Sequence, residues 1–395
     1  MSLLSVAEAQ ARLLALAEPL AAETVPLGDA AGRWLAADVV ACRSQPSADL
    51  SAMDGYAIRF AELPGPWTVV GESAAGAGLD RALAPGEAAR IFTGAPVPQG
   101  ADTILVQEEA ARDGEQMRLD GAGPKAKGSS VRRAGSDFAE GATLAAAGAR
   151  LNPARVALAA IGGHGTLPVR RRPRIAILST GDELVPPGAP APGVMLPASN
   201  GPMLAALLAT LPADTVDHGI VPDRLEALGE AFSAAAAHAD IVVTTGGVSV
   251  GDHDLVRPAL ERAGAALDFW RVAMRPGKPL MAGRLDGAVV LGLPGNPVSA
   301  FVTAHLFLLP LVRHMAGCPT PLPPTENLPL AAPLPATGGR AEYLRAIVEA
   351  GQVRPLPSAD SAVLSELARA DSLVARPPGA AAAQPGDPVA IVRIA

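Results

Sequence analysis

The second half of the chain alternates short apolar runs with amphipathic stretches of helical length, whereas the first half breaks into brief strand-like pieces separated by glycine and proline. From Arg174 onward the runs IAIL (residues 175–178), IVV (241–243) and VVLGL (289–293) read as short buried strands. Helical patterns fall between them, near residues 202–211 with Asn200 as cap, 224–237 capped by Asp223, and 255–263 ended by Gly264. Asn296-Pro297 opens a further helix to about Val312. This alternation predicts a parallel, doubly wound α/β domain.

Ahead of it, Ser5-Val6-Ala7-Glu8 carries the serine and glutamate of a capping box, and a helix is expected to run to about Ala21 with Leu13, Leu14 and Leu20 among its buried residues. Residues 24–149 read as mostly β, with strands at 67–70, 88–92 and 103–107. Asn152-Pro153 starts a helix to about Ile161. Beyond the stiff segment PTPLPP (319–324), strand-like pieces at 342–348, 372–375 and 389–394 suggest a small β-barrel.

In a doubly wound sheet, ligands bind beyond the carboxyl ends of the strands, where the strand order reverses. Three loops follow the apolar runs. Ser179-Thr180-Gly181-Asp182-Glu183 pairs a tight turn with two carboxylates, the oxygen ligands that hard cations such as magnesium prefer. Residues 244–254, TTGGVSVGDHD, combine Gly246-Gly247, which let backbone N–H groups approach an oxyanion, with the Ser249 hydroxyl and the carboxylates Asp252 and Asp254. Pro294-Gly295-Asn296-Pro297 stiffens a turn whose helix N-terminus offers partial positive charge and free N–H groups to an oxyanion such as phosphate. Arg271, Arg275 and Lys278 surround a Pro276-Gly277 turn and can meet a dianion. In the β-rich part, Asp54-Gly55 taken alone is an ordinary hairpin signal and a structural feature.

Composition narrows the classes. Of 395 residues, 49% are apolar and 18% charged, enough for real cores in about two to four domains. A net charge of −7 disfavours non-specific nucleic-acid binding, and 3% aromatics are too few for a base-stacking platform. Apolar runs such as residues 300–309 fall short of the ~20 needed to cross a bilayer, so no membrane is expected. Cys42 and Cys318 stand far apart with no zinc spacing, which fits a reducing cytosol. The N-terminus lacks the basic region and cleavage site of a signal peptide, so a cytoplasmic protein is expected.

Six motifs, SAMDGYA (51–57), FTGAPVPQGADT (92–103), STGDEL (179–184), TTGGVSVGDHD (244–254), FWRVAMRPGKP (269–279) and LPGNPVSAF (293–301), resemble in order and spacing those of the MoeA family, to which the gephyrin E domain belongs. The resemblance spans residues 5–395. It implies an N-terminal helix (1–22) packing on or near the α/β domain, a linker and dimerisation domain (23–45 and 138–168), a β-rich insert (46–137), a MoaB/MogA-like α/β domain (169–318) and a C-terminal barrel (325–395). It further implies a homodimer that inserts molybdate into adenylylated molybdopterin with magnesium, releases AMP, and receives its substrate from a MogA-type adenylyltransferase. Asp54, Thr93, Glu183 and Asp254 match catalytic positions, with Asp182 and Asp252 as further metal candidates. Asp137, Asp223, Gly246, Gly247, Ser249, Arg271, Arg275, Lys278, Pro294 and Pro297 match substrate-binding ones. The tail departs from the family pattern at residues 358–366, SADSAVLSE, and the resemblance carries no substrate contact there. Two other activities share parts of this pattern: adenylylation of molybdopterin, whose enzymes share the α/β domain but lack the insert and tail, and a gephyrin-like scaffold.

Overall fold

A computed structural model describes residues 3–248 and 254–394. In its α/β sheet the strands lie in the order Asp214–Val221, Arg174–Thr180, Ile241–Thr245, Ala288–Leu293, Met281–Leu285, Ala266–Phe269. The first four are mutually parallel, Met281–Leu285 runs against them, and Ala266–Phe269 pairs antiparallel to it and so runs with them again. Alternate residues feed opposite layers, as the two-residue period of a strand requires. Ile175 and Ile177 pack with Leu204, Leu208 and Val302, while Ala176 and Leu178 pack with Leu228, Phe232, Val256 and Leu260. The expected doubly wound architecture is therefore present. The Arg174–Thr180 strand has the next strand of the sheet in sequence, Asp214–Val221, on one side and Ile241–Thr245 on the other, so the strand order reverses between the carboxyl ends of Arg174–Thr180 and Ile241–Thr245.

Three strands of this sheet lacked a sequence signal. Asp214–Val221 is an edge strand with mostly polar, exposed positions, and the antiparallel pair is short and glycine-bearing. Helix limits shift in both directions. The N-terminal helix keeps its capping box but spans only Val6–Leu14. Pro19 cannot continue a helix and disfavours helical backbone at Glu18, and Leu20 instead donates its N–H to the Met315 carbonyl at 2.8 Å. Of the three leucines expected inside, Leu13 is buried, while Leu14 and Leu20 are half-buried. Asn200 lies within the helix Asn200–Leu208, whose cap is Ser199. Asp223 does not cap the helix Leu225–Ala236, which begins after Arg224 with no side-chain cap.

The long helix Pro297–Met315 runs beyond the expected end at Val312. Its length and mean hydropathy of 1.4 would suit a membrane span, yet 83% of it is buried inside the protein as a core helix. A π-helical turn at Ala304–Leu308 precedes Pro310, which has no N–H to return to the Leu306 carbonyl. Gln10 fills that vacancy, donating from Nε2 to Leu306 O at 2.8 Å. The N-terminal helix is thereby tied to the core, with Ala9 and Leu13 buried in the same layer.

In the β-rich insert the order is Thr103–Val106, Gly55–Ile58, Glu87–Ile91, Trp67–Ser73, Gln116–Leu119, Ala110–Asp113. Gly55 is not a hairpin residue. It opens a central strand, and a Cβ there would lie 2.1 Å from the Leu105 carbonyl oxygen. The tail forms a sheet closed by a bridge between Leu330 and Val353, the barrel expected for it. That sheet takes in a strand from outside: Met274–Arg275, from the basic turn, pairs in parallel with Ala341–Glu349.

Asp240, at the foot of the Ile241–Thr245 strand, accepts from Arg171 at 2.9 Å and from Arg174 at 3.1 Å and ties the incoming linker to the sheet. Burial alone would raise its pKa, but the two guanidinium groups and the Arg174 N–H hold it at about 2, below the usual 3.8. A depressed carboxylate pKa stabilises the fold above the unfolded value, and the gain disappears as pH falls through the folded value. Asp240→Asn is expected to cost about 2 kcal/mol at neutral pH. The difference from the unaltered protein in urea unfolding should shrink between pH 4 and pH 2, and a pH-independent difference would refute this linkage. Gln10→Ala should lower stability by about 1 kcal/mol, since it orphans a half-buried carbonyl; an unchanged urea midpoint would show that the Gln10 bond contributes nothing.

Candidate active site

At the switch point the loops after Thr180, Thr245 and Leu293 converge. Gly246 has φ +94°, and a Cβ on it would lie 2.4 Å from the Thr180 carbonyl oxygen, so only glycine lets these two strand ends meet. Gly246 N–H donates to Leu293 O at 3.2 Å, which joins the second loop to the third. Asn200 extends the link, donating from Nδ2 to Gly295 O at 2.8 Å.

Above these loops lie two adjoining cavities. The larger, about 920 Å³, is walled by Glu183, Asn200, Arg275, Lys278, Arg340 and Ser361, among others. The smaller, about 250 Å³, is walled by Glu183, Asp223, Gly246, Gly247 and Asp254. Both share Thr180, Glu183, Gly246 and Pro294, so they form one continuous site. Its charge is polarised. Asp223 and Asp254 border the small end alone, Glu183 borders both, and three exposed cations, Arg275, Lys278 and Arg340, face the large one together with Asp360.

Asp223 is the strained member of the acidic end. Its Oδ1 is buried and has no hydrogen-bond partner. Burial raises its pKa above the usual carboxylate value, repulsion from Asp182 and Glu183 adds to this, and Asp254 contributes less. Asp182 does not line either cavity; its Oδ1 accepts the Asp223 N–H at 3.1 Å and braces that residue. Among the described residues no three Asp, Glu, His or Cys side chains stand close enough together to cage a metal by themselves. Ser249 and Asp252, with His253, lie outside the described residues.

The basic end is built by two domains. Arg275 pairs with Glu342 and Met274 with Ala341, which sets Arg340 beside the Arg275 turn. Residues Asp360 and Ser361 complete the wall. Val298 donates its N–H to Ser361 O at 3.1 Å, and Asn296 Nδ2 donates to Ser361 Oγ at 3.0 Å. This corrects two expectations. The helix at Pro297 offers fewer free donors than expected, because Pro297 has no N–H and the tail takes that of Val298. The departing SADSAVLSE segment also borders the site.

Of the sequence-derived candidates, Glu183, Asp223, Asp254, Gly246, Gly247, Arg275, Lys278, Pro294 and Pro297 line the paired cavities. Arg271 does not; its guanidinium sits 4.8 Å from the centre of the Trp270 ring, whose Nε1 donates to Val248 O. Asp54, Thr93 and Asp137 line neither cavity. Asp54 and Thr93 do meet each other. The Thr93 N–H and hydroxyl both donate to Asp54 Oδ1, at 2.7 and 2.8 Å. Those two bonds, with Arg90 nearby, hold the Asp54 carboxyl below its usual range. Sequence reasoning gave no site role to Asn200 and no cavity position to Arg340 or Ser361. The R-x-x-Y-x-R spacing from Arg340 through Tyr343 to Arg345 was the one available signal.

Known proteins share the regions that make up this chain. Residues 4–163 match the MoeA N-terminal region (domain I and II), 176–314 a probable molybdopterin binding domain, and 327–394 the MoeA C-terminal region (domain IV). The chain is 36% identical to a molybdopterin molybdenumtransferase of Haemophilus influenzae over 80% of its own length and 78% of that protein. It is 38% identical to molybdopterin molybdenumtransferase 2 of Mycobacterium tuberculosis, covering 82% and 83%. A molybdopterin biosynthesis moeA protein from Pyrococcus horikoshii superposes with a TM-score of 0.85 at 26% identity, over 99% of each chain. With all three regions in order and these identities over most of both chains, the protein belongs to the MoeA family, that of the molybdopterin molybdenumtransferases.

Proposed function

We propose that this protein performs the metal-insertion step of molybdenum cofactor biosynthesis, placing molybdate into adenylylated molybdopterin in the cytoplasm and releasing AMP. The observation that carries this reading is the polarised cavity at the switch point, with three cations at one end and carboxylates at the other. Molybdate is a dianion, and Arg275, Lys278 and Arg340 offer it charge-assisted hydrogen bonds. The same cations offset charge that develops on the leaving phosphate. Binding energy from the nucleotide holds the dithiolene sulfurs against the metal, which lowers the entropic barrier to ligand exchange. No protein nucleophile is required, and neither Cys42 nor Cys318 borders the cavities.

The acidic end suits magnesium. Asp223 presents an unpartnered buried oxygen beside Glu183 and Asp254, and hard cations take such donors. Magnesium commonly uses one or two carboxylates and fills its octahedron with water and phosphate oxygens, so a three-carboxylate cage is not needed. Bound there through one or two of the carboxylates Glu183, Asp223 and Asp254, it would supply Lewis-acid polarisation of the pyrophosphate linkage. The Gly246-Gly247 loop approaches the phosphates closely because it has no side chains in the way.

Asp54 and Thr93 enter this reading through a second copy of the chain. They form a preorganised pair, yet they border neither cavity of their own chain. A homodimer in which the insert of one subunit covers the cavity of the other gives that pair a role. The adenylylated substrate would come from a MogA-type adenylyltransferase.

Glu183→Ala and Asp54→Ala should each lower molybdate-dependent AMP release by at least about a hundredfold, the range for removing a group that acts in the transition state. Unaltered rates in both would dismiss these assignments. Mixing the two inactive variants and letting subunits exchange should restore about a quarter of the full activity, because half the dimers then carry one intact site. Activity no higher than that of the separate variants would remove the shared site.

A further inference from the structure

Arg345 lies on the Ala341–Glu349 strand and is 5% exposed. Its guanidinium does not enter the main cavity. It donates to three backbone carbonyls of one segment: Val363 at 2.7 Å, Asp360 at 3.0 Å, and Ser358. Glu366 closes the knot. Its carboxylate stands 3.7 Å from Arg345 and accepts the Ser358 N–H at 3.1 Å. Residues 358–363 therefore hang on one buried cation. Three oxygens approached from different directions need a planar fork of donors, which arginine has and lysine lacks.

That segment is also the tail's wall of the cavity. Ala359, Asp360, Ser361 and Ala362 line it, and Ser361 receives both the Val298 N–H and the Asn296 amide. The path runs from Arg345 through the segment to Ser361, and from Ser361 to the first turn of the helix at Pro297. We propose that Arg345 is a positioning residue for metal insertion: it holds residues 358–363 against the Asn296–Pro297–Val298 turn and thereby sets the geometry of the anion-binding end of the cavity. This rests on the reading that the cavity takes molybdate. The segment walls the cavity that Arg275, Lys278 and Arg340 also line, so the effect of losing Arg345 should fall on the oxyanion.

The test compares Arg345→Lys with Arg376→Lys in the full-length protein. Arg376 is equally buried in the same domain and also donates to backbone carbonyls, those of Pro335 and Ala381, but it does not line the main cavity. Thermal melts establish the stability lost by each. Steady-state rates are then measured against molybdate and against adenylylated molybdopterin separately. Arg345→Lys should raise the KM for molybdate about tenfold, the equivalent of one lost charge-assisted hydrogen bond, and change the KM for the nucleotide by less than about twofold. Arg376→Lys should leave the molybdate KM unchanged at a similar loss of melting temperature. Asn296→Ala, which cuts the other end of the path, should raise the molybdate KM alone but add little on top of Arg345→Lys. Equal shifts in the two arginine variants, parallel rises in both KM values, or multiplying effects in the double variant would each overturn the proposal. Absence of molybdate-dependent turnover in the unaltered protein would instead overturn the functional reading.

Discussion

Two residues of parallel pairing hold the site together. Met274 and Arg275 leave the α/β domain and add themselves to the sheet of the tail beside Ala341 and Glu342. Main-chain pairing of this kind is directional and carries no side-chain preference, so it survives wide sequence change while fixing register. Its consequence is electrostatic. It brings Arg340, from a distant part of the chain, alongside Arg275 and Lys278 at the mouth of a cavity whose floor is the switch point of the doubly wound sheet. Without that join the α/β domain alone would keep its acidic loops and a basic turn open to water.

Separation of charge along the cavity follows from where the two domains meet. The carboxylates come from loops at the ends of the parallel strands, and the cations from the turn and the tail. Like charges crowd at each end, which costs stability in the empty protein and is relieved by a ligand that carries both a cation and an oxyanion. In the proposed function, a pyrophosphate-linked substrate with magnesium at one end and molybdate at the other would satisfy both requirements. Burial and the neighbouring carboxylates push the Asp223 pKa upward, whereas two donors from Thr93 hold that of Asp54 below its usual range.

Local patterning carried the parallel core. IAIL, IVV and VVLGL are buried on both faces, so each reads as an unbroken apolar run, and the glycine-bearing turns after them point to the ends where ligands bind. Where the pattern was weak, the elements were invisible: the Asp214–Val221 edge strand is half exposed and polar. Long-range contacts account for the rest. Asp223 and Asn200 both looked like helix caps, and neither serves as one. Nothing in the local sequence states that Asn200 reaches the Gly295 carbonyl or that Asp223 is left without a partner. Arg271 carried a charge in a basic motif, but an adjacent tryptophan offered a closer surface for stacking. The tail segment departs from the family pattern and gave no sign of its place at the cavity wall; what places it is the buried Arg345 beneath.

The buried polar groups left unsatisfied among the described residues give an independent marker of the site. Five such atoms occur, and three of them, Asn200 Oδ1, Asp223 Oδ1 and Thr244 Oγ1, belong to residues at the switch-point loops or on the strand that leads into them. Each orphaned group costs about 1–3 kcal/mol. Against a total stability of roughly 5–15 kcal/mol, three at one place are a heavy local burden. Elsewhere the chain goes to some length to avoid such costs, as when Gln10 reaches across from the N-terminal helix to the Leu306 carbonyl exposed by Pro310. Asn200 and Asp223 border the paired cavities, so their unmet hydrogen bonding lies where a polar substrate and its water can supply donors, whereas the orphaned nitrogens of Arg33 and His305 lie away from them.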